Sequence, residues 1–136
     1  LVIIKKKDGA RRFCIDYRKL NQVTIKDSYP LPKIEEALDA LAGSMYFCSL
    51  DLASAYWQIP MDPDSMEYTT FCCRLGLFRY KVMPFGLCNA PATCERLMEL
   101  MLTGLNWKKC LIYIDDILIY GATFQDCLNN FVEVLQ

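Results

Sequence analysis

The chain has 136 residues, 54% of them hydrophobic, and a formal net charge of −1. That length suits one domain or part of one, with ample apolar residues for a packed core, and the near-neutral total is that of neither a basic nucleic-acid binder nor an acidic tail. Histidine is absent, which excludes the usual Cys/His zinc spacings and the hydrolase triads that need an imidazole base.

Residues 1–6 and 12–17 are β-prone segments around "KDGAR", a Gly-containing turn, and predict a hairpin. Charge gathers here. Residues 1–21 hold seven Lys and Arg against two Asp, while the remainder holds eight basic against fourteen acidic residues. A basic arm on an acidic body suits a polyanion at one end and a cation-binding cluster at the other; a solvated basic hairpin fits the charge equally well. The chain opens on Leu, with residues 1–4 reading as mid-strand and 135–136 as mid-helix, so a piece of a longer chain is expected. No signal peptide is expected, and no apolar run nears the roughly 18 residues of a membrane helix.

"YPLPKIEEALDALAG" predicts a helix, with Pro32 in its first turn, Leu31, Ile34, Leu38 and Leu41 at helical spacing and Gly43 as the stop. "MYFCSL" predicts a short buried strand ending at Asp51. "LASAYWQI" predicts a brief helix or turn, and "YTTFCC" and "FRYKVM" an antiparallel pair around "RLGL". "NAPATCERLMELML" predicts a helix capped by Asn89, with Leu97, Met98, Met101 and Leu102 on one face. "CLIYI" and "ILIY" predict strands. "TFQDCLNNFVEVL" opens with a T-x-x-D capping box and aligns Phe124, Cys127, Leu128, Phe131 and Leu135. The order after the hairpin, α-β-(α)-β-β-α-β-β-α, predicts an α+β fold, an antiparallel sheet with helices on one face. The eight cysteines form no CxxC pair, sit mostly in apolar segments, and read as small core residues of a reducing compartment.

Between the last two strands stand Asp115 and Asp116. Neighbouring side chains of a regular strand point to opposite faces, so two adjacent acids converge only where the backbone turns. A plain turn would accept them, yet Asn-Gly or Asp-Gly would serve better, and two like charges repel unless neutralised. Asp51 reads either as a helix N-cap or as a group displayed at a strand end. If its strand pairs with "CLIYI", three carboxylates meet at one edge. Such a cluster prefers hard ions, Mg²⁺ first and Mn²⁺ as a substitute, and two such ions form the apparatus of in-line phosphoryl transfer.

"CSLDLASAYWQIPM", "MPFGLCNAPAT" and "YIDDILIY" resemble the three palm motifs of reverse transcriptases, in that order and at fitting spacings. "KKKDGARRFCIDYRKLNQVTIKDSYPLPKIEEAL" and "GLFRYKVMPFGLCNAP" resemble the fingers segment and second-motif approach of gypsy-type LTR retrotransposons, so the likeness covers nearly the whole chain. It implies a ferredoxin-like polymerase palm with a partial β-hairpin fingers region: one partial domain over 1–136, with 1–44 fingers and 45–136 mainly palm. Nothing matches a thumb or RNase H domain, so the isolated chain is expected to be poorly active.

The implied activity is RNA-directed DNA polymerisation with two Mg²⁺ ions, deoxynucleoside triphosphates and a primer on an RNA or DNA template. The implied setting is a Pol polyprotein, with its thumb and RNase H as partners and no membrane. The implied location is intracellular: cytoplasmic, in virus-like particles, or nuclear. The likeness assigns the metal to Asp51, Asp115 and Asp116, helped by the carbonyl of Leu52. It assigns the steric gate against ribose to Tyr56, the triphosphate grip to Lys6 and Arg12, the nucleotide turn to Phe85 and Gly86, and the primer terminus to Tyr113. Within "KKK", Lys5 or Lys7 could carry the role of Lys6. Trp57, Cys88 and Cys94 depart from common gypsy-type residues without removing a metal ligand. The alternatives are an inactive degenerate copy, a nucleic-acid-binding module that keeps the fold, and another palm-like two-metal enzyme such as a nucleotidyl cyclase, against which Tyr56 and the "MPFG" turn speak.

Overall fold

The computed structural model describes residues 2–5, 9 and 11–136, and side chains from residue 13 onward. These residues form two compact units, each discontinuous in sequence: Leu1–Asp27 with Ser54–Ala90, and Ser28–Ala53 with Pro91–Gln136.

In the first unit, β1 (Val2–Lys5) and β2 (Arg11–Cys14) pair antiparallel from Val2↔Cys14 to Lys5↔Arg11. The hairpin is as expected, but its second strand stops at Cys14. A helix absent from the sequence reading, α1 (Arg18–Val23), follows. At six residues it is too short for hydrophobic periodicity to reveal. Residues 55–58 and 66–69 form single 3₁₀ turns. An antiparallel pair is present as β4 (Phe71–Cys73) and β5 (Gly76–Phe78), but its turn is only Arg74–Leu75: β5 takes Gly76 and Leu77 from the expected connection "RLGL" and ends at Phe78, so the rest of "FRYKVM" lies outside the strand. Phe71 centres the packing, with the rings of Phe13, Phe78 and Tyr80 at 5.7, 5.9 and 5.7 Å.

The second unit carries α2 (Ile34–Leu41), β3 (Tyr46–Asp51), β6 (Cys110–Tyr113), β7 (Asp116–Gly121) and α4 (Phe124–Val134). Helix α3 (Ala90–Met101) starts at the last residue of the first unit and runs into the second. Pro32 lies before α2, not in its first turn, and Lys33 is the N-cap. Gly43, at φ +82°, takes the left-handed conformation just past the helix. The Thr123–Asp126 capping box that opens α4 is formed.

The sheet is antiparallel, ordered β3-β7-β6. β7 is therefore central, and β3 pairs with β7 and not with "CLIYI". Ile112 and Ile119 are completely enclosed, and Cys110 opposes Ile119 across the β6–β7 ladder. The expectation that residues 45–50 are buried fails. Tyr46 is 45% and Phe47 50% exposed, because β3 is an edge strand covered on one side only. The end of β7 runs close beneath α4: a methyl group on Gly121 would sit 2.4 Å from the backbone nitrogen of Cys127.

The buried stripe of α3 also differs from expectation. Ala92, Cys94, Glu95, Met98 and Leu102 are buried, while Met101 is exposed. Cys94, Cys110 and Cys127 are core residues, but Cys72 is exposed; all eight cysteines are free. Among the described residues, no helix is long and apolar enough to cross a membrane.

Candidate active site

The β6–β7 ladder closes at Tyr113↔Asp116, which leaves Ile114 and Asp115 as a two-residue turn. Such turns need positive φ at one or both central residues. Ile114 takes φ +61°, a conformation that costs a β-branched residue roughly 1–3 kcal/mol. Two neighbours on α3 grip it. The Ile114 N–H donates to the carboxylate of Glu95, and the Cys94 thiol donates to the Ile114 carbonyl at 3.4 Å.

Strand β3 meets this turn edge-on. Its last residue, Asp51, lies directly opposite Asp116 on β7, and the Leu52 N–H donates to the Asp115 carbonyl at 3.1 Å, carrying the pairing one residue further. Directly opposed residues share a face, with Cβ atoms about 4.5–5.5 Å apart. Tyr113 opposes Asp116 from the other side. Asp51, Asp116 and Tyr113 thus form a row across three strands, all exposed, with half-buried Asp115 in the adjoining turn. Burial first, then the charges of Asp115 and Glu95, push the Cys94 thiol up to about 11. Glu95 is fully enclosed; burial raises its carboxyl, the Ile114 N–H lowers it, and the Glu99 charge raises it.

The donor set suits a hard divalent cation: every side-chain donor in the row's acidic part is a carboxylate oxygen. Directly opposed like charges destabilise a sheet, and among the described residues no ion pair neutralises Asp51, Asp115 or Asp116. A bound cation would supply that neutralisation. Among the described residues, no three acidic, His or Cys side chains already converge as a preformed cage.

The remaining expected residues lie in the first unit. Backbone bonds Met61 N to Lys81 O (3.0 Å) and Met83 N to Ile59 O (2.8 Å) tie residues 59–61 to 81–83. That pairing carries the 3₁₀ turn of Ala55–Gln58 beside the "MPFG" turn. The Tyr56 and Phe85 rings lie 5.1 Å apart, and Trp57 meets Phe85 edge-on at 5.7 Å. Gly86 takes φ +97°, open to glycine and strained for other residues. Its turn is clasped by one side chain: Asn21 donates to the Gly86 carbonyl at 2.8 Å and accepts from the Cys88 N–H at 2.9 Å. Asn89, expected as a helix cap, uses its side chain to accept from Asp27 N–H at 3.0 Å and donate to the Ile25 carbonyl at 2.9 Å. Lys6 lies outside the described residues, as do Lys7 and the side chains of Lys5 and Arg12.

Glu95 and Asn21 were not among the expected site residues. For Glu95 a signal existed, a carboxylate standing between Ala92 and Met98 on a small and apolar stripe. For Asn21 none did, since its partners are 65 and 67 residues away.

A family model described as "Reverse transcriptase (RNA-dependent DNA polymerase)" matches residues 4–136. The retrovirus-related Pol polyprotein from transposon 297 of Drosophila melanogaster, a gypsy-type element, is 45% identical over 133 residues, which are 95% of this chain and 13% of that protein. The RNA-directed DNA polymerase homolog of Oenothera berteroana is 43% identical over 125 residues, 92% of this chain and 87% of that one. The crystal structure of the prototype foamy virus protease-reverse transcriptase CSH mutant matches with a TM-score of 0.82 at 25% identity, over 98% of this chain and 18% of that one. The chain therefore spans about an eighth of the transposon 297 polyprotein.

Proposed function

The chain belongs to the reverse transcriptase (RNA-dependent DNA polymerase) family, and from that premise we propose that it forms fingers and palm of a retrotransposon polymerase that adds deoxynucleotides to a primer 3′-hydroxyl on an RNA or DNA template. Residues 1–44 are read as fingers and 45–136 as mainly palm with some fingers, working with the thumb and RNase H of a Pol polyprotein inside the cell. The observation that carries the reading is the register that sets Asp51 directly against Asp116, with Asp115 in the adjoining turn.

Asp51, Asp115 and Asp116, with the Leu52 carbonyl, would hold two Mg²⁺ ions (Mn²⁺ as a substitute), which when bound supply Lewis-acid activation of the 3′-hydroxyl and neutralisation of the leaving pyrophosphate. The protein's own share is positioning. Tyr113, in the same row, seats the primer terminus. Tyr56, braced on Phe85, fills the space a ribose 2′-hydroxyl needs and so favours deoxynucleotides. The exposed Gly86 lets the backbone approach the nucleotide closely. Lys6 contributes a point charge for the terminal phosphate, and Arg12 a planar fork for phosphate with a face for the base. Template contact rests on backbone charge and shape, since copying accepts every base.

The test is primer extension on an RNA template, with Mg²⁺ and deoxynucleotides, by a reverse transcriptase carrying this 136-residue segment. Asp115→Asn should abolish extension. Equal extension by both proteins would refute the assignment.

A further inference from the structure

We propose that Glu95 is a positioning residue for the aspartate turn: a buried carboxylate on α3 that holds the Ile114 N–H and so fixes the left-handed kink from which Asp115 and Asp116 are displayed. The inference rests on the reading of those aspartates as metal ligands and adds a residue behind them. Three observations carry it.

The first is cost. Glu95 is fully enclosed, on a stripe otherwise made of Ala92, Cys94, Met98 and Leu102. A buried carboxylate is expensive unless hydrogen-bonded. Its bond goes to a single backbone group, Ile114 N–H, while its second oxygen has no partner among the described residues. An apolar side chain would pack there more cheaply, so helix packing alone gives no reason for an acid.

The second is need. The Ile114 N–H belongs to a turn residue beyond the last ladder pair of β6. Without an acceptor it would be a partly buried orphan donor. The residue is also β-branched at φ +61°, a conformation that persists only where its surroundings enforce it.

The third is duplication. Cys94, the adjacent residue on the helix, donates to the carbonyl of the same Ile114. Consecutive side chains of α3 therefore hold both backbone polar groups of the kinked residue. Relaxing its φ would break both bonds, and the residues that would swing with it are Asp115 and Asp116.

Amide hydrogen exchange of the ¹⁵N-labelled chain tests the contact directly. Glu95→Leu should lower protection of the Ile114 amide by roughly 10- to 100-fold, the effect of losing one hydrogen bond to a charged group, while Leu111 and Ile119, whose amides face the neighbouring strands of the sheet, keep theirs. Glu95→Gln, which retains a carbonyl acceptor, should keep wild-type protection. In primer extension by a reverse transcriptase carrying the segment, Glu95→Leu should lower kcat at least tenfold and raise the Mg²⁺ concentration needed for half-maximal rate. The KM for deoxynucleotide should stay within twofold, and Glu95→Gln should restore both changed quantities. If Glu95→Leu fails to fold, Glu95→Gln decides: wild-type protection and kcat support the role, and a tenfold loss of either overturns it. An Ile114 amide equally protected in the wild type and in Glu95→Leu would also overturn it. Full activity of Asp115→Asn would remove the catalytic reading instead, leaving the exchange result to stand on its own.

Discussion

Replacing Asp116 with Asn should stabilise the ion-free protein. Asp116 and Asp51 are direct partners in the β3–β7 register, and opposed residues on one face keep their Cβ atoms about 5 Å apart. Two unit charges at about 5 Å repel by about 0.8 kcal/mol at the dielectric constant of water, and by more where protein lowers it. Both side chains are exposed, so screening holds the value near the measured range for cross-strand pairs, about 0.2–1 kcal/mol. The substitution is nearly isosteric and leaves the ladder bonds alone. Urea unfolding at low salt, without divalent ions, should place Asp116→Asn above wild type by that amount. Asp51→Asn should do the same, and the double variant should gain no more than either alone, because one repulsion is removed once. Adding Mg²⁺ should invert the order. An ion bound only to the folded state at ten times its Kd stabilises by about 1.4 kcal/mol, and the wild type should collect that gain while the Asn variants do not. If the Asn variants are no more stable than wild type without ions, and Mg²⁺ moves all three proteins equally, the two carboxylates do not share a pocket and the metal reading fails.

Three further outcomes are expected. Tyr56→Ala should raise ribonucleotide incorporation relative to deoxynucleotide in primer extension, and unchanged sugar selectivity would remove its gate role. Gly121→Ala should destabilise the fold by at least about 2 kcal/mol in urea unfolding, since its methyl group would fall 2.4 Å from a backbone nitrogen of α4, which cannot yield as a flexible side chain can; a cost below 0.5 kcal/mol would contradict the packing. The Cys94 thiol is raised from 9.0 to about 11 in the folded state, so the stability conferred by keeping it neutral is complete below pH 9 and lost as pH climbs from 9 through 11. Unfolding midpoints over that window should fall more steeply for wild type than for Cys94→Ala, and parallel curves would show that the thiol is not buried beside those charges.

The hairpins and longer helices were legible because local rules govern them: a Gly turn between β-prone runs, a Thr–Asp capping box, an apolar stripe at helical spacing. The two adjacent acids were legible as an anomaly, since no turn preference asks for two like charges. The resemblance of three spaced motifs then supplied the roles that residue types alone left open. The same local rules misjudged burial on β3 and on α3, because which face is covered depends on which element packs there. Helix α1 escaped notice because six residues hold less than two turns of periodicity.

By itself, then, the sequence determined that carboxylates stand at the ends of two strand-like segments, with a basic hairpin ahead of them and no histidine or paired cysteine to suggest other chemistry. Only the tertiary structure decided that β3 lies against β7, which sets Asp51 opposite Asp116, and that Glu95 and Cys94 hold the kink at Ile114. The physical reason is separation. Asp51 and Asp116 lie 65 positions apart, and Glu95 and Ile114 lie 19 apart. Register and backbone strain of that kind are settled by packing across the fold, which no window along the chain contains.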